Sequence, residues 1–381
     1  MNGATANAES RIHQLKGNLL AAASYYSTDY FDARQRLLAA CSSLGCEHHA
    51  ISIHAPSPRP EPLTIDVAVI GAAKPTSAIV LSSGVHGVEG PFGSAVQLAF
   101  VERLMSTGWR PPLGAAVVLV HAVNPYGYAW LRRFNEENVD LNRNFLLREE
   151  SYLGAPPLAE TFRRAMKLRR PRSRYGFWSA RMIMLALRHG VQSFWETLPV
   201  GQYDYPDWLF FGGGAPAQSV QKLEQFLPTV LGDAEEVVHL DFHTGLGAWT
   251  ESQLLVSESE GIDNCEWWDA HYGAPFVRRM KSNTKTYEVR GGFGPWLRAL
   301  FPACRYRYAT AEFGTYSAMR VVGALADELR WHIELGDETF GHASRRRLSE
   351  TFVPQSRSWR AKTLTTGLDW VRHATDVLWP K

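Results

Sequence analysis

From Thr64 onward the chain repeats one pattern: a short, almost uninterrupted apolar run rich in β-branched residues, then a polar or glycine-rich stretch, then a helical one. LTIDVAVIG, SAIVLSSG and AAVVLVHAV are such runs, with a helix between the last two over about Ser94 to Met105. Runs that are apolar at every position, such as Ala78 to Leu81 and Ala115 to Val120, are what strands buried on both faces require. The alternation of strand and helix points to an α/β sheet sandwiched between helices.

The rhythm breaks between residues 146 and 235. LRREESYLGAPP, the basic and aromatic helical section RRPRSRYGFWSARMIMLALRHG, and the glycine-rich GQYDYPDWLFFGGGAP together read as an insertion. Strand patterns return at EEVVHLDFHTG and YRYATAEFG. The first 65 residues read as helical, with FDARQRLLAACSSLG ending at a capping Gly45 before the Pro-broken loop HAPSPRPEP. After the last strand comes an amphipathic helix in which Met319, Val322, Leu325, Leu329 and Ile333 recur every three or four residues. The expected organisation is one domain over 1–381, with a helical N-terminal segment (1–62), the insertion (146–235) and a helical C-terminal extension (337–381). The triplet Arg345 to Arg347 reads as a solvated helix face, because three adjacent cations cost least at a surface.

Charge and cysteine usage remove several classes of function. Forty Lys+Arg against 38 Asp+Glu leave a formal charge of +2, which provides no field for binding nucleic acid. No apolar run reaches the 18 or so residues a membrane span requires. The start MNGATANAESRIHQ lacks a basic segment followed by an apolar one. Four cysteines without a C-x-x-C pair are too few for a disulfide framework. The expectation is a cytoplasmic protein that contacts neither membrane nor nucleic acid.

Four polar clusters follow predicted strands, at the edge where open α/β sheets place their ligands. The first is SSGVHGVEG, with His86 and Glu89. Thirteen His and 24 Glu give roughly 0.8 H-x-x-E matches by chance, so the pair has meaning only through its context. That context is Gly84, Gly87 and Gly90, which let the backbone turn tightly enough to aim both side chains at one point. The second cluster is DFHTG, where His243 ends a strand. Two His and one Glu, with a fourth position left to water, form a catalytic zinc arrangement, whereas a structural zinc is closed by four protein ligands. The third, NPYGYAWLRRFNEENVDLNRNF, brings Arg132, Arg133, Asn142 and Arg143 into one loop. The fourth, TAEFGTY, puts Glu312 at a strand end, where a carboxylate can move protons. Asp241 reads either as a support for His243 or as a satisfied buried acid. His48, His49, His54, His121 and His239 receive no role. No G-x-S-x-G elbow is present, which counts against a serine hydrolase.

The order H-x-x-E, N-P-x-G with a downstream Arg and DLNRNF, strand-end His, strand-end Glu resembles the zinc carboxypeptidase superfamily, which contains both carboxypeptidases and the succinylglutamate desuccinylase/aspartoacylase group. The resemblance covers roughly Leu63 to Ile333. VHGVEGPFGSAVQ, NEENVDLNRNF, GQYDYP and FFGG are similar to a bacterial branch described as a domain of unknown function. It implies a three-layer α/β/α fold with a mixed, mostly parallel-cored sheet and a helical insertion. It also implies one zinc ion per chain on His86, Glu89 and His243, Glu312 as general base and acid, and Arg133, or failing that Arg132, polarising the scissile carbonyl. Asn142 and Arg143 would hold a substrate carboxylate, and Asp140 would accept a hydrogen bond from His86. Tyr272 and Tyr287 are the candidates for a mobile tyrosine. The implied activity is zinc-dependent hydrolysis of an amide bond next to a free carboxylate, on a small peptide or an N-acyl amino acid. Only eight residues separate Arg133 from Asn142, fewer than in digestive carboxypeptidases, which keeps an aspartoacylase-type deacylase as the alternative. A non-catalytic module that binds carboxylated ligands is the rival from another class.

Overall fold

The computed structural model describes residues 20–166, 184–185, 187–188, 190, 197, 200–273, 275–280, 290–335 and 343–380. The chain enters through α1 (Tyr30–Leu44), whose N-cap Asp29 accepts a hydrogen bond from the Asp32 amide and whose C-cap is Gly45 at φ 76°. Strands β1 (Glu47–Ile53), β2 (Leu63–Gly71) and β3 (Ser77–Ser83) follow, then α2 (Gly90–Thr107), β4 (Ala115–His121), α3 (Pro125–Trp130), α4 (Ala159–Met166) and α5 (Gln218–Leu231). The second half contains β5 (Glu236–Thr244), β6 (Ser252–Ser257), α6 (Ile262–Tyr272), β7 (Val277–Met280), α7 (Phe293–Leu300), β8 (Arg305–Phe313), α8 (Ala318–Leu335), α9 (Ala343–Phe352) and α10 (Arg357–Leu378).

The strands form one eight-stranded mixed sheet in the order β1-β2-β4-β3-β5-β8-β6-β7. Its centre, β4-β3-β5-β8, is parallel throughout, and antiparallel β2 and β6 flank it. Every residue of β4 is buried, as its unbroken apolar run requires. One face packs Ile79, Leu81, Val238, Leu240 and Phe242 against a helical layer that includes Phe92, Leu325, Trp359 and Trp370. The other packs Val80, Val118 and Val237 against Leu223 and Leu227 of α5 and Trp296 and Leu297 of α7. These are the three layers expected.

Several expectations need correction. The N-terminal stretch is not helical throughout, because Glu47–Ile53 is an edge strand whose exposed and half-buried residues give it no continuous apolar run. Met319 and Ile333 at the ends of α8 are exposed, while Val322, Leu325 and Leu329 between them are buried. Arg345 is fully buried on α9, within 3.6 Å of Glu328 on α8, and only Arg346 and Arg347 of that triplet face solvent. Among the described residues, no helix is long and apolar enough to cross a membrane.

Candidate metal centre

Strand β3 is the topological switch point, pairing with β4 on one side and β5 on the other, the place beyond whose C-terminal end open α/β sheets bind their ligands. All four polar clusters gather there. His86 and Glu89 lie on the turn after β3, and the N-P-x-G segment after β4 packs directly on that turn. A Cβ on Gly87 would lie 2.1 Å from the Gly127 carbonyl carbon, so the two turns can touch only because Gly87 has no side chain. The contact is fixed by the Arg133 carbonyl, which accepts hydrogen bonds from the Gly87 amide at 3.3 Å and from Asn124 Nδ2 at 3.2 Å. β5 and β8 then run side by side, with His243 opposite Glu312 in register.

His86, Glu89 and His243 are all buried, and their ligand atoms lie within 4.8 Å of one another. His86 Nδ1 is 2.9 Å from Glu89 Oε1, His243 Nδ1 is 3.2 Å from Glu89 Oε2, and the two Nδ1 atoms are 3.1 Å apart. Donors placed 2.0–2.1 Å from a tetrahedral zinc stand about 3.3 Å from each other, so the spacing fits such an ion. The electrostatics point the same way. Burial alone would raise the Glu89 carboxyl, but His86 and His243 hold it well below the usual carboxylate range. Burial alone would lower His243, yet Asp241 and Glu89 raise it well above an ordinary imidazole. The buried carboxylates favour positive charge between these atoms. A proton can supply it, and three converging nitrogen and oxygen donors suit a divalent cation better.

The outer nitrogens meet carboxylates. His243 Nε2 lies 2.6 Å from Asp241 Oδ2, and His86 Nε2 lies 3.2 Å from Asp140 Oδ1. Arg133 Nη2, which can only donate, is 2.7 Å from the same His86 nitrogen. One tautomer of His86 cannot satisfy both contacts. With the proton on Nε2, Asp140 accepts it and Nδ1 is left free to ligate; with the proton on Nδ1, Nε2 accepts from Arg133. Arg133 also donates from Nε to Asp140 Oδ2 at 2.9 Å and from Nη1 to Glu89 Oε1 at 3.3 Å. Asp140 is fully buried, which would raise its pKa, but Arg133 and His86 hold it well below the usual range.

Glu312 Oε1 accepts a hydrogen bond from the Leu246 amide at 2.8 Å, and burial together with the neighbouring Glu89 pushes its carboxyl up to about 8. Asn142 uses its side-chain oxygen to accept from the Phe293 amide at 3.1 Å. Arg143 is seated between two loops. Its carbonyl accepts from the Tyr203 hydroxyl at 2.8 Å, and a Cβ on Gly201, which has φ +95°, would lie 2.7 Å from its Cδ. The segment between 146 and 235 therefore supplies the wall behind Arg143, and Phe210 from the same segment stacks on the Arg133 guanidinium at 5.4 Å.

Arg132, the alternative to Arg133, has other partners. It is fully buried and turned away from His86, donating from Nε to Glu328 Oε1 at 2.7 Å and from Nη2 to Asn138 Oδ1 at 3.0 Å. Tyr272 donates to the Trp370 carbonyl at 3.1 Å in the packing of α6 on α10, and Tyr287 lies outside the described residues. Sequence reasoning named Asp241 but not the polar cluster around it beneath the site. Asp241 lies on the same face of β5 as His239 and His243, and it contacts Ser82 of β3 and Tyr308 of β8. The signal was present in the spacing, since His239, Asp241 and His243 stand at alternate positions of one buried strand.

A search of the curated proteins finds no match. Solved structures similar to the chain include bovine thrombin-activatable fibrinolysis inhibitor, solved in complex with tick carboxypeptidase inhibitor (13% identity, covering 91% of this chain and 98% of that one, TM-score 0.45). Carboxypeptidase A from Helicoverpa armigera is another (12% identity, 94% and 80%, TM-score 0.43), as is a succinylglutamate desuccinylase from a Silicibacter species (13% identity, 76% and 67%, TM-score 0.39). The model of the family described as protein of unknown function (DUF2817) matches residues 26–366, and the chain belongs to that family.

Proposed function

We propose that the protein is a zinc-dependent hydrolase that cleaves an amide bond adjacent to a free carboxylate, in the manner of a carboxypeptidase. The observation that carries this reading is the convergence of His86 Nδ1, the Glu89 carboxylate and His243 Nδ1 on one point, with Glu312 beside them on β8. These three residues would hold one zinc ion per chain. Bound there, the ion supplies Lewis acidity and activates water at neutral pH.

The remaining work falls to side chains. Glu312, on the strand beside the ligands, takes a proton from the attacking water and returns it to the departing nitrogen. Arg133 directs a guanidinium at the negative charge that develops on the scissile carbonyl oxygen. The Asn142 Nδ2 donor and the Arg143 guanidinium hold the substrate carboxylate, a charge-assisted interaction that aligns the adjacent amide bond. Asp140 holds His86. A module that only binds carboxylates would not need Glu312, whose burial beside another carboxylate is costly. The short Arg133-to-Asn142 spacing favours a second reading within the same chemistry, an N-acyl amino acid deacylase of the aspartoacylase type.

Two measurements test the reading. Metal analysis of the wild type, His86→Ala and His243→Ala should find zinc in the first and little in the others, and full retention in both variants sinks the ligand assignment. Hydrolysis across blocked dipeptides and N-acyl amino acids, each as free acid and as amide, separates peptidase from deacylase. Arg143→Ala should then bring acid and amide rates together by about 10- to 200-fold, the equivalent of one charge-assisted hydrogen bond of about 1.5 to 3 kcal/mol.

A further inference from the structure

The polar cluster under the metal centre has a proton arrangement that donor and acceptor counting fixes completely. His239, Asp241 and His243 occupy alternate positions of β5; Ser82 of β3 is opposite Asp241, and Tyr308 of β8 is opposite His239. Ser82 Oγ donates to Asp241 Oδ1 at 2.5 Å, and the Tyr308 hydroxyl donates to Asp241 Oδ2 at 2.9 Å. A hydroxyl has one proton, so having given it to Asp241, Ser82 can only accept from His239 Nε2, which is 2.7 Å away. That makes His239 Nε2 the protonated nitrogen and Nδ1 the acceptor of the Tyr306 hydroxyl, 3.0 Å away. The chain therefore runs in one direction, from Tyr306 through His239 and Ser82 to Asp241. There it meets Tyr308 and the Nε2–H of His243 at 2.6 Å. No member of it is more than 3% exposed, so water cannot replace a missing partner.

We propose that Asp241 is the positioning residue for His243, and that Ser82 and Tyr308 directly, with His239 and Tyr306 behind them, hold Asp241 as an acceptor so that His243 keeps its proton on Nε2 and presents Nδ1 to the metal. The inference rests on the metal reading above, but it concerns residues that reading leaves without a role. Asp140 stands 3.2 Å from His86 and is held by Arg133 and the Asn142 amide, whereas Asp241 stands closer to its histidine, 2.6 Å from His243, and is clamped by two hydroxyls. A clamped carboxylate fixes both the ring orientation and the tautomer.

The test uses the full chain stripped of metal, with selectively 15N-labelled histidine, in wild type, Asp241→Asn, Tyr308→Phe and Ser82→Ala. Zinc affinity is measured by competition with a chelator, and the His243 tautomer is read from its imidazole nitrogen shifts at a pH high enough for the ring to have released its second proton. Asp241→Asn should weaken zinc binding about 10- to 100-fold and mix the His243 tautomers, and Tyr308→Phe and Ser82→Ala should each weaken it about threefold or more. If Asp241→Asn does not fold, the other two variants carry the test. Zinc affinities within about twofold of wild type, with the His243 tautomer unchanged in every variant, overturn the proposal. If wild type binds no zinc, the metal reading fails, and the nitrogen shifts of the metal-free variants still decide whether the network sets His243.

Discussion

Arg132 and Arg133 are neighbours in sequence with opposite environments, and replacing each by Met should produce opposite defects. Arg132 shares Glu328 with Arg345 in a cluster with no exposed side chain. Removing one member of a buried ionic group costs about 3–5 kcal/mol. The lower end applies here, because Glu328 keeps Arg345 at 3.6 Å. Unfolding entropy of about 2.1 cal/mol/K per residue amounts to about 0.8 kcal/mol/K for 381 residues, so a loss of about 3 kcal/mol lowers Tm by about 4 °C. Turnover per folded molecule should not change, since Arg132 faces away from His86 and Glu89. Arg133→Met should lose about 10² to 10³ in kcat, the cost of one donor to a developing oxyanion. Its lost contacts with Asp140 and Glu89 also cost stability, so the discriminating quantity is kcat per folded molecule, with the folded fraction measured by circular dichroism at the assay temperature. Equal losses of kcat in the two variants, or a loss confined to Arg132→Met, would refute the assignment of the two arginines.

Glu312→Gln should keep its zinc and lose about 10² to 10⁴ in turnover; a loss below about tenfold speaks against proton transfer by this residue. Gly201→Ala should raise KM for the free-acid substrate about tenfold with little effect on the amide, because the new methyl displaces the Arg143 side chain; an unchanged KM would remove Gly201 from the carboxylate seat. Glu260, buried beneath α6, is pushed up from 4.5 to about 8 by burial against the opposing influence of Arg298. Between those values the folded protein holds a proton that the unfolded chain has released. Its stabilising contribution is therefore complete below about pH 4.5 and lost as pH rises to about 8, at up to about 1.4 kcal/mol per unit. Glu260→Gln should flatten that slope, and urea midpoints at pH 5 and pH 8 that shift equally in both proteins would contradict it.

What the sequence made legible was the part set by continuous runs. β3 and β4 are apolar on both faces or nearly so and β5 on one, and the polar residues that end these strands stand out against that background. The edge strands β1 and β7 have no such run: β1 is half-exposed along its length, and β7, VRRM, has four residues. The directions of Arg132 and Arg133 could not be read from spacing, because the chain turns at Leu131 with φ 56°, a left-handed conformation that a leucine gives no reason to expect. Burial of Arg345 depends on Glu328 and on Trp130, whose ring lies 5.2 Å from its guanidinium, groups that the fold brings together from distant positions in the chain.

The network under His243 could have been anticipated from β5 alone. A strand in the middle of a sheet covered on both sides has to bury both of its faces. Val238, Leu240 and Phe242 meet that requirement on one face by being apolar. On the other, Val237 is followed at alternate positions by His239, Asp241 and His243, all buried. Three consecutive buried polar groups on one face are tolerable only if they find partners, and the neighbouring strands are where such partners must lie. β3 supplies Ser82 and β8 supplies Tyr306 and Tyr308, each on the face turned toward α7. A polar residue at every second position of a central strand is thus a sign, legible in the amino-acid pattern itself, of a cross-strand network. Where the last of those residues ends the strand at the switch point, the network ends at the site.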